Sequence, residues 1–229
     1  MKRSDLFFAL TMLAIFMPFV VSNDLYAWYN DFNHDHAMVV AFLKFGILAT
    51  LGEMLGCRIA TGNYTTPSFG VVPRMVVWGV LGMAISMAMT VFSSGIPTFI
   101  TSMGGGELVA AFAAEGFSWG KLIVAFSISV MMNTFFAPVF MTFHKITDAH
   151  IAENGGSLKA LITPIDMRRQ MVSLNWDRQW SFIFKKTIPL FWYPAHTITF
   201  MLPGELRVLF AALLGVALGV ILAIGARKK

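Results

Sequence analysis

The chain has 229 residues, of which 57% are hydrophobic and 13% are charged, and its formal net charge is +5. Soluble domains carry about 25% charged residues, so the composition excludes a soluble domain and indicates one polytopic membrane domain over residues 1–229. The basic residues lie between apolar runs, where membrane orientation explains them, so they do not indicate a nucleic-acid partner.

The first apolar run covers residues 6–21 and follows Lys2 and Arg3. It is of membrane-spanning or signal-peptide type. Val20 and Ser22 have the small-residue spacing of a signal-peptide cleavage site. Residues 1–22 are therefore either an extra N-terminal helix or a removed signal peptide.

A polar stretch follows at residues 23–36, with three Asp and no Lys or Arg, and we expect a solvated loop with a helix cap. Asp31, Asn33 and Asp35 have the alternate spacing that opens a calcium loop. That loop needs Gly at its sixth position, where this chain has His36. We therefore predict no metal site.

The second span is predicted at residues 37–60, and one of its faces carries mostly small residues. Five positions recur at spacings of three and four residues: Gly46, Ala49, Glu53, Gly56 and Ala60. Small residues let helices approach closely in lipid, so this face, with Glu53, should point into the bundle. An intramembrane carboxylate indicates either a functional site or a structural ion pair.

Two further spans are predicted at residues 74–92 and 119–143, on either side of an ambiguous region. Residues 98–116 are too short to cross the membrane and read as re-entrant or interfacial. In the fourth span Asn133 lies on a face of small residues and needs hydrogen-bond partners inside the bundle.

Residues 145–186 are predicted to form a basic cytoplasmic loop. Within it, residues 168–180 read as a helix lying on the membrane, with Trp176 and Trp180 as anchors. This loop would contact anionic lipid.

The fifth span, residues 182–202, contains Pro189 and Pro194, each of which removes a backbone donor and kinks a helix. Pro203 follows in a tight turn, and Trp192 reads as an interfacial anchor. The sixth span is residues 206–226. The fold class predicted is an all-α bundle of about six transmembrane helices with its fifth helix kinked by prolines.

Basic residues fix the predicted orientation. With the N-terminus in the cytoplasm, 14 of the 17 Lys and Arg lie on the inner side: Lys2, Arg3, Arg58, Arg74, Lys145, Lys159, Arg168, Arg169, Arg178, Lys185, Lys186, Arg227, Lys228 and Lys229. This bias predicts cytoplasmic N- and C-termini.

The C-terminal third resembles the signature of a known family. Six residues carry it: Trp192, His196, Thr199, Phe200, Pro203 and Arg207. Three fragments add to the likeness: Gly52-Glu53, Asn133 with Ala137-Pro138, and Arg74 with Gly82. In residues 43–226 the chain resembles the small peroxisomal and mitochondrial membrane proteins named for Mpv-seventeen and the twenty-two-kilodalton peroxisomal membrane protein. His196 and Thr199 replace the Gln and Asn of that signature.

The resemblance implies a helical bundle that acts as a channel for small solutes. The residues predicted to line a polar path are Glu53, Asn133, His196, Thr199, Glu205 and Arg207. The alternative is a non-transporting membrane scaffold that binds a partner through its basic loop. No recognisable motif joins a nucleophile to a base, so we predict neither an enzyme nor a cofactor. The sequence leaves open a homo-oligomer, and a bacterial inner membrane or an organelle membrane as its location.

Overall fold

The computed structural model describes residues 2–227, with all side chains in that range except those of Glu205, Leu218 and residues 222–227. The α-helices in chain order are α1 (Arg3–Val21), α2 (Asn23–Asp35), α3 (Ala37–Thr61), α4 (Val71–Ser102), α5 (Gly106–Ala113), α6 (Trp119–Glu153), α7 (Met167–Ser173), α8 (Trp176–Arg178), α9 (Tyr193–Met201) and α10 (Gly204–Arg227). A 3-10 turn at Leu158–Leu161 precedes α7, and a π-helical segment, Gln179–Trp192, joins α8 to α9.

The chain is an all-helical membrane protein in the part that the structure describes. Four helices are long and apolar enough to cross a membrane: α1, α3, α4 and α6. A shorter apolar stretch, Leu206–Ile221, lies within α10. The predicted all-α class is therefore confirmed, with four such helices by length and composition.

Helix α3 lies at the centre of the bundle and packs most extensively against α4 and α10. Glycines make these contacts close. The Phe45 ring of α3 occupies the space that a Cβ on Gly82 of α4 would need, and a Cβ on Gly52 would lie 2.9 Å from the Val216 Cα of α10. Of the small-residue face predicted on this helix, Gly46 packs against α4, where an added Cβ would lie 2.8 Å from the Met75 carbonyl oxygen. The other members of that face, Ala49, Glu53, Gly56 and Ala60, line a cavity.

The prediction of a loop at residues 23–36 is wrong, because these residues form α2. The Ser22 hydroxyl accepts a hydrogen bond from the Leu25 amide at 3.2 Å, as a helix cap does. The polar side of α2 covers Lys44 of α3, whose Nζ donates to Asn33 Oδ1 at 3.2 Å. The polar composition suggested a loop, but these residues form a helix, and one of them accepts a hydrogen bond from a buried lysine.

Helices α4 and α6 run further than the sequence suggested. The third span was expected to end near residue 92, yet α4 continues through Pro97 to Ser102. Helix α6 continues to Glu153, so the basic loop begins later than residue 145. The interfacial helix predicted at residues 168–180 is interrupted, because Leu174 is extended and Asn175 caps a new turn through its side chain.

Helix α1 has no buried residue and is attached to the bundle at its N-terminal end. The Arg58 guanidinium of α3 donates to both oxygens of Asp5, at 2.7 and 3.0 Å. The Tyr64 hydroxyl also donates to Asp5, at 3.2 Å. Burial raises the pKa of Tyr64, which keeps this hydroxyl protonated as a donor.

Candidate functional site

Four charged or titratable side chains from three helices meet in what we name the ionic cluster: Glu53 of α3, Arg74 of α4, and His144 and Asp148 of α6. Arg74 Nη1 donates to Glu53 Oε2 and, at 2.5 Å, to Asp148 Oδ1. His144 Nε2 lies 3.3 Å from Glu53 Oε1 and 3.5 Å from Asp148 Oδ2. Glu53 therefore has two partners and Asp148 has three, because Lys145 Nζ also donates to Asp148 Oδ2 at 3.3 Å.

Local structure explains how Arg74 and Asp148 reach Glu53. Arg74 lies in the first turn of α4, and its Nε donates to the Phe69 carbonyl at 2.7 Å, which holds the guanidinium at the helix end. His144 and Asp148 are four residues apart and share a face of α6. Of these four residues, the sequence analysis predicted only Glu53 as a path residue, because it assigned Asp148 to a loop. The four-residue spacing of His144 and Asp148 could have indicated that they share a helix face.

The ionic cluster has the donor set of a metal site. The ligand atoms of Glu53, His144 and Asp148 lie within 4.8 Å of one another. The Arg74 guanidinium, however, bridges the two carboxylates and already supplies the positive charge that a metal ion would bring. We therefore describe the cluster as an ion-pair network.

A second group of polar residues, which we name the amide–imidazole cluster, joins α6 to α9. It consists of Ser129, Asn133 and His196. Asn133 Nδ2 donates to the Ser129 carbonyl at 2.8 Å, and Asn133 Oδ1 lies 3.0 Å from His196 Nδ1. The Ser129 hydroxyl donates to the Tyr193 carbonyl at 2.7 Å. All three members of the cluster are at least nine-tenths buried.

These contacts fix the tautomer of His196. The Ser129 carbonyl can only accept, so the Asn133 amide nitrogen faces it and the amide oxygen faces the imidazole. A neutral His196 must then carry its proton on Nδ1 and donate it to Asn133 Oδ1. Its Nε2 is left with a lone pair, and no protein donor among the described residues contacts it.

One cavity of about 540 Å³ connects the two clusters. Glu53 and His144 line one end of it, which we name the ionic end, and Asn133 and His196 line the other, which we name the deep end. The wall between them is mostly apolar, and its residues include Phe45, Ile85, Met132, Phe136 and Phe140. Three predicted path residues, Glu53, Asn133 and His196, therefore lie on one cavity.

Two tryptophans also line this cavity, and neither indole N–H has a protein partner among the described residues. The Trp78 ring lies 4.5 Å from the His144 ring, and the Trp192 ring lies 4.9 Å from the His196 ring. The sequence predicted Trp192 as an interfacial anchor. The structure places it on the cavity wall instead, with its indole nitrogen buried against the bundle.

Other predicted path residues lie off the cavity. Thr199 is fully buried, and its hydroxyl donates to the Ala195 carbonyl of its own helix at 2.9 Å. Arg207 donates to the Leu202 and Phe200 carbonyls at 3.0 and 3.1 Å and so caps the end of α9. The side chain of Glu205 lies outside the described residues.

The remaining predicted residues mark helix ends and surfaces. Pro189 lies within the π-helical segment, Pro194 lies in the first turn of α9, and Pro203 lies between α9 and α10. Trp176 and Trp180, the predicted interfacial anchors, are 42% and 58% exposed. No signal for the Trp78–His144 pair could be read from the sequence, because the two residues lie on different helices.

Comparison of the chain with family models, with curated proteins and with solved structures finds no match.

Proposed function

We propose that the protein is a membrane channel or carrier for small solutes, with a path lined by intramembrane polar residues. The observation that carries this proposal is the cavity with Glu53 at one end and Asn133 and His196 at the other. Ionisable residues inside a membrane bundle are costly, and they commonly mark substrate pathways. The resemblance of residues 43–226 to small peroxisomal and mitochondrial membrane proteins implies the same function.

The proposal includes a six-span topology with both termini in the cytoplasm. The four long apolar helices would be joined by a fifth span, from the π-helical segment through α9, and by α10 as the sixth. The concentration of Lys and Arg on one side supports this orientation. The prolines at positions 189 and 194 would kink the fifth span, because each removes a backbone donor.

Solute efflux from liposomes that contain the purified protein tests the proposal. Release of ions or small metabolites above that from empty vesicles is expected. We expect Glu53→Gln and His196→Ala to lower this release, since both residues line the cavity. Glu107→Gln and His34→Ala are matched controls, because both residues are exposed and neither lines the cavity.

A gel-filtration profile and a melting curve for each variant separate lost transport from lost folding. Release equal to that of empty vesicles, from folded wild-type protein, would refute the transport proposal.

A non-transporting scaffold is the second function that we propose, and the exposed surface of α8 and the start of the π-helical segment favours it. Trp176, Trp180 and the basic side chains of Lys185 and Lys186 are exposed there, as a surface for anionic lipid or an acidic partner would need. Chemical cross-linking in the native membrane tests this function. One stoichiometric partner that is lost on Trp176→Ala would support the scaffold, and cross-links only between copies of this chain would contradict it.

A further inference from the structure

The cavity wall limits what kind of molecule the cavity can hold. Along α6, the residues from Asn133 to Lys145 that line it span about 18 Å. Between these ends the wall is made mainly of Phe, Ile, Met and Ala side chains. A sugar or another hydrophilic solute would lose its hydration here without gaining hydrogen bonds. That loss costs about 2 to 7 kcal/mol for each polar group. An apolar chain would gain from the same contact.

Charge at the ionic end favours an anion over a cation. Five charged residues meet there: Arg74, Lys145, Arg178, Glu53 and Asp148. With three cations and two anions, the formal balance is +1 when His144 is neutral. Both carboxylates already have partners in the ionic cluster, so neither is free to receive a cationic ligand.

Basic side chains at this end remain available for an anion. Arg178 lines the cavity and forms no ion pair within the range that the structure describes. Lys145 also lines it, is about half exposed, and lies 3.3 Å from Asp148 Oδ2. A carboxylate or phosphate head could accept from both groups.

The deep end offers one acceptor. His196 Nε2 carries a lone pair that meets no protein donor among the described residues. A hydroxyl group matches this acceptor, because its proton can go to His196 Nε2. A methyl group would leave the lone pair unmet, which costs free energy in a buried site. The Trp192 indole N–H is enclosed by protein and does not reach the cavity.

We propose that the cavity binds an anionic amphiphile, with a carboxylate or phosphate head at Lys145 and Arg178 and an acyl chain along the apolar wall. A hydroxyl at the far end of the chain strengthens binding through His196 Nε2. The inference rests on the proposed function, whose solute it assigns to this class. The source of the molecule is either a free fatty acid or a phospholipid of the bilayer.

Binding is measured on the full chain in nanodiscs of neutral phosphatidylcholine, with labelled dodecanoate, ω-hydroxydodecanoate and dodecylammonium as probes. We expect ω-hydroxydodecanoate to bind up to about tenfold more tightly than dodecanoate, which is the gain from a hydrogen bond at the deep end. Dodecylammonium should bind at least about tenfold more weakly than dodecanoate, because the ionic end carries a net positive charge.

Variants assign the two ends. His196→Phe keeps a ring and removes the Nε2 acceptor, so it should abolish the preference for the hydroxylated probe over dodecanoate. The double variant Lys145→Gln/Arg178→Gln should weaken the binding of both carboxylate probes, dodecanoate and ω-hydroxydodecanoate. Lys186→Gln is the matched control, because Lys186 is exposed and does not line the cavity. Equal affinity for dodecanoate and dodecylammonium, or affinity unchanged in the double variant, would overturn the proposal.

Native mass spectrometry of the protein from its own membrane identifies the source. A bound fatty acid supports a free acid as the occupant, and a bound anionic phospholipid supports the same chemistry supplied by the bilayer. Binding of dodecanoate without solute efflux would keep this inference and refute the transport proposal. Efflux of hydrophilic solutes without dodecanoate binding would refute this inference and keep transport.

Discussion

The two polar clusters on the cavity compensate their buried polar groups in different ways. The ionic cluster gathers two carboxylates, a guanidinium and an imidazole, and it neutralises them by pairing. The amide–imidazole cluster has no formal charge and satisfies its groups through hydrogen bonds to one another and to backbone carbonyls. Charge is costly at depth in lipid, so the difference places the charged group near the helix ends and the neutral group deeper in the bundle.

Removal of Arg74 is the most severe test of this comparison. Arg74→Met should destabilise the fold by about 4 kcal/mol, because it leaves two largely buried carboxylates, each 21% exposed, without their shared cation. Unfolding by SDS titration in mixed micelles measures the effect. Arg169→Met is the control: Arg169 pairs with Glu153 at 2.6 Å, but both side chains are largely exposed, so its loss should cost less than about 1 kcal/mol. Equal effects would show that the ionic cluster is solvated like a surface.

Loss of one member of the amide–imidazole cluster should lower the stability of the fold by less than loss of Arg74 does. Asn133→Leu keeps the branching at Cγ and removes the acceptor of the His196 Nδ1 proton. We expect a loss of about 2 kcal/mol, the cost of one unsatisfied buried donor. The same titration measures it, with Asn63→Leu in an exposed loop as the control, where a change within about 0.5 kcal/mol is expected. A loss as large as that of Arg74→Met would contradict the ranking of the two clusters.

Thr199→Val should have the smallest effect. Its hydroxyl bonds only to the carbonyl of its own helix turn and does not face the cavity, so stability should change by less than about 1 kcal/mol. Solute efflux should stay at the wild-type rate. A loss of efflux in the folded variant would mean that the path runs past Thr199 and outside the cavity described here.

The sequence was informative where one helix carried the whole signal. The small-residue face of α3 predicted that Glu53 points inward, and the face of small residues on α6 did the same for Asn133. Partners could not be predicted, because Arg74 reaches Glu53, and His196 reaches Asn133, only through the packing of separate helices. Helix α2 was missed for a related reason: its polar residues have meaning only against Lys44 of the next helix.

The family signature illustrates the same limit. It directed attention to Trp192 and His196, which the structure places on the cavity, and equally to Thr199 and Arg207, which it does not. Spacing along a chain does not say which face of a helix each position occupies when the helix is not regular. Residues just before Trp192 are π-helical, so the ordinary rotation of about 100° per residue does not hold there.

The angular register of α9 depends on that wider winding. A π-helical stretch advances each residue through a smaller angle than an α-helix does, so the stretch from Gln179 to Trp192 sets the direction in which Trp192 and His196 face α6. Deleting one residue that does not line the cavity, such as Ser181, would turn both side chains away from their present direction, by less than the roughly 100° of an α-helical residue. Chain length in this stretch is thus as specific a determinant of the deep end as the identity of its side chains.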